Sequence, residues 1–427
     1  MFDGIKEAAK NGLVEVLKLM AELEVPLDEE VASAAARAGQ MEVIDFLLAH
    51  EEKLKATPRE EDDDEFETAF TQKTLEGAVA GGLIKLLNLL KERGVLPRAD
   101  KESKGSIKAA KKGYLDSLSF VVENGGKIDS SAIKQAGLYG HVEVLDYLYE
   151  KGYSMSEYDA VKVMEKAAEK GWIDVLKALR KHGVKVSYSV GGFAAANGQV
   201  EILRYVKEEA WSDLEGDSRV SLTLQEMFVQ GLAFEALSNN QLDTILWLKA
   251  RDFPISDFDV ERCIEKGNYK HIRWWVDKAG LPWSPDGDLC LQAARNGDLD
   301  TLKWAKDHGT TIAEKSEVAI NALLDKKFPI VSWFVDNGVQ WDASWCASAA
   351  DKGNLDALKW LREQGCPWDF STLAKGATTY EGANIMNYLK ENNFPFDAAQ
   401  IAELELRRIY PAAKWLEANG YSFKQFY

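Results

Sequence analysis

The amino-acid sequence predicts an all-α solenoid of about fourteen helix-turn-helix repeats, and three observations carry that expectation. One is self-similarity along the chain. AARNGDLDTLKWAKDHG at 293–309 returns as AADKGNLDALKWLREQG at 349–365, and AAKNGLVEVLKLM from Ala8, AAEKGWIDVLKALRKHG from Ala167 and AAANGQVEILRYV from Ala194 fit the same frame. Another is the even spacing of a turn residue: Gly12, Gly39, Gly82, Gly113, Gly140, Gly171, Gly198, Asn240, Gly267, Gly297, Lys326, Gly353, Glu381 and Arg408 stand 27–31 residues apart except for two gaps of 43 and 42. The third is a constant set of offsets around each of these anchors.

Each offset has a physical reason. Two small residues, usually Ala-Ala, lie three and four places before the anchor and allow helices to approach closely. Glycine at the anchor accepts the positive φ with which helices often end. Apolar residues two, five and eight places on, as in Leu299, Leu302 and Ala305, form one face of a second helix. Twelve places after the anchor another glycine usually stops that helix, as at Gly94, Gly125, Gly309 and Gly365. Three residues further stands an apolar plug, such as Ile128, Val186, Trp341, Trp368, Phe396 and Phe423, often just after Pro, as in CPWD at 366–369. No unit of this size buries its apolar face alone, so stability comes from stacked neighbours.

The unit AA-x-x-G-x-L-[DE]-x-L-K-x-L, closed by G-x-x-[VIW]-[DS], resembles the ankyrin repeat over nearly the whole chain. Its LKW and CPWD variants resemble the short-period ankyrin arrays of giant viruses, oomycetes and algae. Two features depart from that family: the period is 27–31, and the T-P-L-H that opens the family's first helix is replaced, for instance by Asp288–Leu291 and Ser344–Ala347. The resemblance implies an ankyrin-like solenoid with shortened hairpin loops, binding partners through its concave first-helix surface. A tetratricopeptide or HEAT array is the fold alternative, but neither explains the plug.

Two inserts interrupt the array. The acidic loop near 51–67 has seven acids in the eight residues Glu60–Glu67 and is expected to be solvated. The second, 207–228, is expected to act as an insert or hinge between repeats 1–7 (1–206) and a Trp-rich set of repeats 8–14 (229–427). The terminal repeats have no obvious polar caps, so they either cap themselves through Phe423 and Phe426 or allow self-association.

Composition narrows the function. With 46% apolar residues, 28% charged residues and a net charge of -17, the chain is globular and acidic, which argues against a chain-wide nucleic-acid or anionic-membrane binder. Four Cys do not make a disulfide scaffold, no apolar run approaches the ~20 residues of a membrane span, and MFDGIKEAAKNG is no signal peptide. The expectation is a cytoplasmic protein, with the nucleus or a host-cell cytoplasm also compatible. Cys263, Cys290, Cys346 and Cys366 fall in three different columns, without C-x-x-C, and five His lie in five different repeats. No enzyme, cofactor or metal site is expected.

Two columns remain. The seventh position after the anchor is aromatic in eleven of fourteen repeats, including Trp247, Trp304 and Trp360, and is read as a packing ladder. The two places before the anchor hold a base in eight repeats: Lys10, Arg37, Lys111, Lys112, Lys170, Lys266, Arg295, Lys352 and Arg407. Complementing helix dipoles explains such cations. A shallow basic groove for an acidic protein segment is the sharper reading, carried by Lys111, Lys112, Lys170, Lys266, Arg295 and Lys352. The function expected is a protein-binding adaptor with no nucleic-acid or membrane partner. A structural subunit of a larger assembly is the alternative, followed by an acidic nucleic-acid mimic or an enzyme without a recognisable motif.

Overall fold

The structure, a computed structural model, describes residues 2–56, 68–210, 231–285, 287–395, 415 and 418–420. The chain packs as two compact units, Met1–Trp247 and Leu248–Tyr427. Each is a helical-repeat solenoid of helix pairs. The hinge expected at 207–228 falls almost wholly outside the described residues, as do Phe396, Arg407, Arg408 and Phe423.

In the first unit α1 (Phe2–Lys10), α3 (Glu29–Ala38), α5 (Gln72–Gly81), α7 (Gly105–Lys112), α9 (Ala132–Leu138), α11 (Glu157–Lys170) and α13 (Ser189–Ala196) are first helices, each packed on the next. The second helices form the other layer: α2 (Val14–Glu22), α4 (Met41–Ala56), α6 (Ile84–Glu92), α8 (Leu115–Glu123), α10 (Val142–Glu150), α12 (Ile173–Lys181) and α14 (Val200–Glu208). In the second unit Leu289–Asn296, Ser316–Leu324, Ala343–Asp351 and Phe370–Ala377 repeat the first layer, and Leu299–Asp307, Phe328–Asp336, Leu355–Glu363 and Gly382–Glu391 the second. The loops before α7 and α9 also pair as two short parallel strands, β1 (Glu102–Ser103) and β2 (Lys127–Ile128).

Both helices of a repeat end in the same way. The anchor has a positive φ, from Gly12 (74°) to Gly353 (64°), and even Asn240 (52°) and Lys326 (59°) adopt it. The next N–H then bonds back to the carbonyl five residues earlier, as Tyr114 N to Ala109 O at 2.9 Å and Asn354 N to Ala349 O at 2.9 Å. Second helices close alike: Val95 N reaches Leu90 O at 2.8 Å and Cys366 N reaches Leu361 O at 2.9 Å. Three second stops without glycine, Glu24, Asp252 and Asn393, still turn left-handed, whereas Glu51 continues its helix and Ala279 stays right-handed. Glu381 does not; its φ is -82°, and the preceding first helix ends differently.

The alanine pairs are the buried floor between first helices: Ala35, Ala36, Ala109, Ala110, Ala167, Ala168, Ala293, Ala294, Ala349 and Ala350 are all 0% exposed. Second helices bury positions four, five and eight after the anchor, as in Leu86, Leu87 and Leu90 or Val175, Leu176 and Leu179. The expected set was two, five and eight. Position two, as at Ile84, Leu115, Ile173 and Leu355, is half-buried. Helix geometry explains the change: at about 100° per residue, positions four, five and eight share one arc, whereas two and seven flank it at roughly 110° on either side. The aromatic column at position seven is therefore an edge ladder. Phe328 at position two stacks on Trp360 at position seven of the next repeat, with centroids 5.1 Å apart.

Two other expectations change. The plug is buried at Ile128, Val186 and Ile312, but Trp341 and Trp368 are half-buried, and Val339 and Cys366, two residues earlier, fill the core instead. An indole is too large for the site of an isoleucine, so Trp368 lies edge-on to Phe394 at 5.5 Å. Residues 51–56, read as loop, are the last turns of α4. There Glu51 is 3% exposed, pairs with Lys55 and with Arg93 at 3.1 Å, and accepts from Thr68 at 3.1 Å.

The turn glycines do a second job. At Gly12, Gly82, Gly113, Gly140, Gly171 and Gly198 the residue after the next anchor lies over the anchor glycine, so a methyl on Gly82 would stand 2.8 Å from the Tyr114 ring. Gly94 has almost the same φ, 78° against 77°, with nothing within 4 Å of such a methyl. Gly94→Ala is expected to cost about 1–2 kcal/mol for a left-handed alanine. Gly82→Ala should cost about 1–3 kcal/mol more for the clash, read from the shift in urea unfolding midpoint.

Candidate binding face of the first helices

The end of each first helix carries the residues that packing does not use. Around α7 these are Lys111 and Lys112, two and one places before Gly113, and Lys108, one turn earlier on the Lys112 side. All three are exposed above the buried pair Ala109 and Ala110. The Lys111 ammonium lies 4.6 Å from the centre of the Tyr139 ring, and that of Lys112 lies 5.5 Å from Tyr114. The backbone is held as well: the Lys111 carbonyl is hydrogen-bonded to His141 Nε2 at 2.9 Å, and the Lys10 carbonyl accepts from Gln40 Nε2 at 3.0 Å.

Glycines bring neighbouring cations into the same neighbourhood. A methyl on Gly77 would lie 2.6 Å from the Ser33 carbonyl, and one on Gly81 would collide with the Ala36 carbonyl, so α3 and α5 approach backbone to backbone. At its end α5 carries only Gly77, Ala80 and Gly81 where other repeats carry long side chains. Arg37 of α3 thus faces the α7 lysines across a floor of small residues. The Lys108 ammonium is held below the ordinary lysine range, by desolvation first and then by Arg37, Lys112, Lys10 and Lys111. Among the described residues Arg37, Lys108, Lys111 and Lys112 form no ion pair, while Lys10 pairs with Glu7 at 3.1 Å. The nearby acids are engaged elsewhere: Glu30 with Lys6 at 3.4 Å and with Lys73, and Glu76 accepting from Gly105 N at 2.6 Å and Ser103 Oγ at 2.8 Å.

The six candidate residues therefore divide. Lys111 and Lys112 belong to this cluster, whereas Lys170 is exposed but paired with Glu169 at 3.0 Å. Lys266, Arg295 and Lys352 lie in the second unit, all exposed. Arg295 and Lys352 line a groove of about 750 Å³ together with Asp325, Lys326, Asp356 and Glu381, where Lys326 bonds Asp356 at 2.6 Å. Its charge is mixed. Lys108 is the residue missed in the sequence; its signal was the helical step of four back from Lys112, which the two-place window before the anchor left out.

The cysteines also group unexpectedly. All four are buried, and Cys346 and Cys366, from different columns, share a thiol hydrogen bond, with Cys366 Sγ 3.4 Å from the Asp342 carbonyl. Burial pushes the Cys290 thiol up to about 11, and the bond to Cys366 together with burial raises Cys346. Among the described residues no three or more His, Cys, Asp or Glu gather where they could hold a metal, and no helix is long and apolar enough to cross a membrane.

No family model and no curated protein matches the chain. Among solved structures it is similar to the maize pentatricopeptide repeat protein PPR10, at 14% identity and a TM-score of 0.28 over 98% of this chain and 73% of that one. It is likewise similar, with TM-scores of 0.31 and the same identity and coverage, to PPR10 in complex with an 18-nucleotide psaJ RNA element, and to a cysteine-to-serine variant of that complex. The RNA belongs to those proteins. The sequence expectation that excluded nucleic acid is not kept: two of these structures hold RNA, and the net charge of this chain does not by itself exclude it. The physical fault in that expectation is that a net charge of -17 averages over the chain and hides the cluster at α7.

Two outcomes follow. Repulsion at Lys108 is a cost wherever the side chain is charged, so it is present below the lowered folded value and is relieved as pH rises towards the ordinary 10.5. Lys108→Gln should therefore raise the thermal midpoint at pH 7 and low salt, with the gain shrinking in ~0.5 M salt. A thiol near 11 is ionised to roughly one part in a thousand at pH 8. All four cysteines are buried, so a chromogenic aromatic disulfide reagent should label none of them in the native protein within minutes, and all four in denaturant.

Proposed function

We propose that this chain is a non-catalytic binding scaffold, ankyrin-like in repeat type, that takes a protein partner along its first-helix face. The observation that carries the reading is the division of labour in the first helices. One side is an alanine floor at 0% exposure, and the other presents exposed side chains that do not pack between helices, among them Lys108, Tyr139 (44% exposed) and Phe193 (40% exposed). Large exposed rings beside cations are the composition of protein-binding surfaces. A preformed helical face also spends little entropy on ordering when a partner docks. The ankyrin-like type is supported by the offsets of the repeat and by the β1–β2 pairing between successive loops, where that family places its hairpins.

RNA binding would use the same face. A photo-crosslinking amino acid at Lys112 and at Lys352, with Lys303 on a second helix as control, separates the readings in lysate of the native source. Protein adducts from Lys112 or Lys352 that survive ribonuclease and are missing from Lys303 are the expected result. Adducts that ribonuclease removes would assign the face to RNA, and equal labelling from Lys303 would end the first-helix reading.

A further inference from the structure

The first-helix face has one place where its chemistry is specific. We propose that the cluster of Lys10, Arg37, Lys108, Lys111 and Lys112, spread over the small floor of Gly77, Ala80 and Gly81, is the docking site for an extended acidic segment of a protein partner. The proposal rests on the reading of the first-helix face as a binding surface and gives it a chemical specificity.

Three features support it. The cations are not spent internally: of the five, only Lys10 has a carboxylate partner among the described residues. Such a cluster carries a standing repulsion, to which the desolvated Lys108 is most exposed, and an arriving carboxylate relieves it. At its end α5 places only the buried Gly77 and Ala80 and the half-buried Gly81 between Arg37 and the α7 lysines, so no long side chain of α5 stands between the cations. The dimensions suit a short peptide. From α1 to α7 there are three helix-to-helix steps, and the α3–α5 step is short enough for the cations of α1, α3 and α7 to act on one another, so a segment of a few extended residues spans them.

The rings bordering the cluster favour a peptide over a single-stranded nucleic acid. Base recognition uses open aromatic faces. Here Tyr139 already carries the Lys111 ammonium at 4.6 Å, and Tyr114 carries Lys112 at 5.5 Å while its ring lies over Gly82. Carboxylates need only the ammonium and guanidinium groups, which remain exposed.

The test is fluorescence anisotropy of the full chain with three labelled probes at 50 mM salt: a decapeptide of alternating Asp and Glu, a Gly-Ser decapeptide, and decauridylate. The acidic peptide is expected to bind at least tenfold more tightly than the other two and to weaken at 300 mM salt. Lys108→Glu with Lys111→Glu and Lys112→Glu should weaken it tenfold or more with circular dichroism and thermal midpoint retained, whereas Lys303→Glu, on a second helix, should leave it unchanged. Decauridylate binding more tightly than the peptide, with the same sensitivity to the triple change, would make the cluster a nucleic-acid site and overturn the proposal. Equal binding of both peptides, or indifference to the triple change, would overturn it too. Either failure, with ribonuclease-resistant crosslinks still arising at Lys112 or Lys352, removes the acidic segment and leaves the protein-binding face standing; loss of those crosslinks removes the face itself.

Discussion

Most described repeats are locked to the one before at one place: the residue after the anchor reaches back over the preceding turn. Gln40, His141, Gln199, Gln241 and Asn354 all stand there, and each bonds a backbone carbonyl two places before the previous anchor, at distances of 2.9–3.3 Å. These carbonyls belong to the last turn of a first helix, where no intrahelical donor remains. Tyr114 and Trp172 fill the same position by covering Gly82 and Gly140 with their rings. The contact sets the spacing of successive turns, and with it the apposition of the alanine pairs beneath. Where the next repeat lies directly over the glycine, as Tyr114 over Gly82, a side chain would push that repeat away, so such an anchor satisfies two constraints at once, a left-handed φ and an open face.

The same economy of side chains creates the binding face. First helices pack so closely through alanine and glycine that their other side is free of packing duty. Where α5 and α3 meet through Gly77 and Gly81, the approach is close enough for the cations of α1, α3 and α7 to act on one another. In the second unit the corresponding row is neutralised, with Asp325, Asp356 and Glu381 beside Arg295, Lys326 and Lys352. The contrast explains why a net acidic chain still presents a locally positive surface, and why salt and charge reversal discriminate between its two halves.

The second-helix layer shows how a large aromatic at the edge of the core is used. At position seven a ring lies on the flank of the buried arc, where it meets position two of the preceding repeat or a loop. Trp304 illustrates the arrangement: its indole N–H donates to Asp277 at 2.9 Å, and its ring stacks on His308 at 4.0 Å. His308 Nε2 itself lies 3.0 Å from the same Asp277 carboxylate. A fully buried indole would need that partner inside the core; at the flank it finds one on the previous repeat.

The helix-turn-helix unit, its turns and its alanine floor were legible in the amino-acid order, because periodicity, left-handed turns and close approach depend on residues near in sequence. Even Lys326 and Asn240 were identifiable as anchors by spacing alone. What only the tertiary structure decided depends on residues about twenty or more places apart. Lys108 joined the cation cluster because Gly77 and Gly81 draw α3 and α5 together, Cys366 met Cys346 because a loop folds under the first turn of a helix, and Glu51 became buried because Arg93 lies across from it. The chain order determines which face of each helix is apolar. How the remaining side chains share one surface is decided by the distance between helices, a property that no single repeat contains.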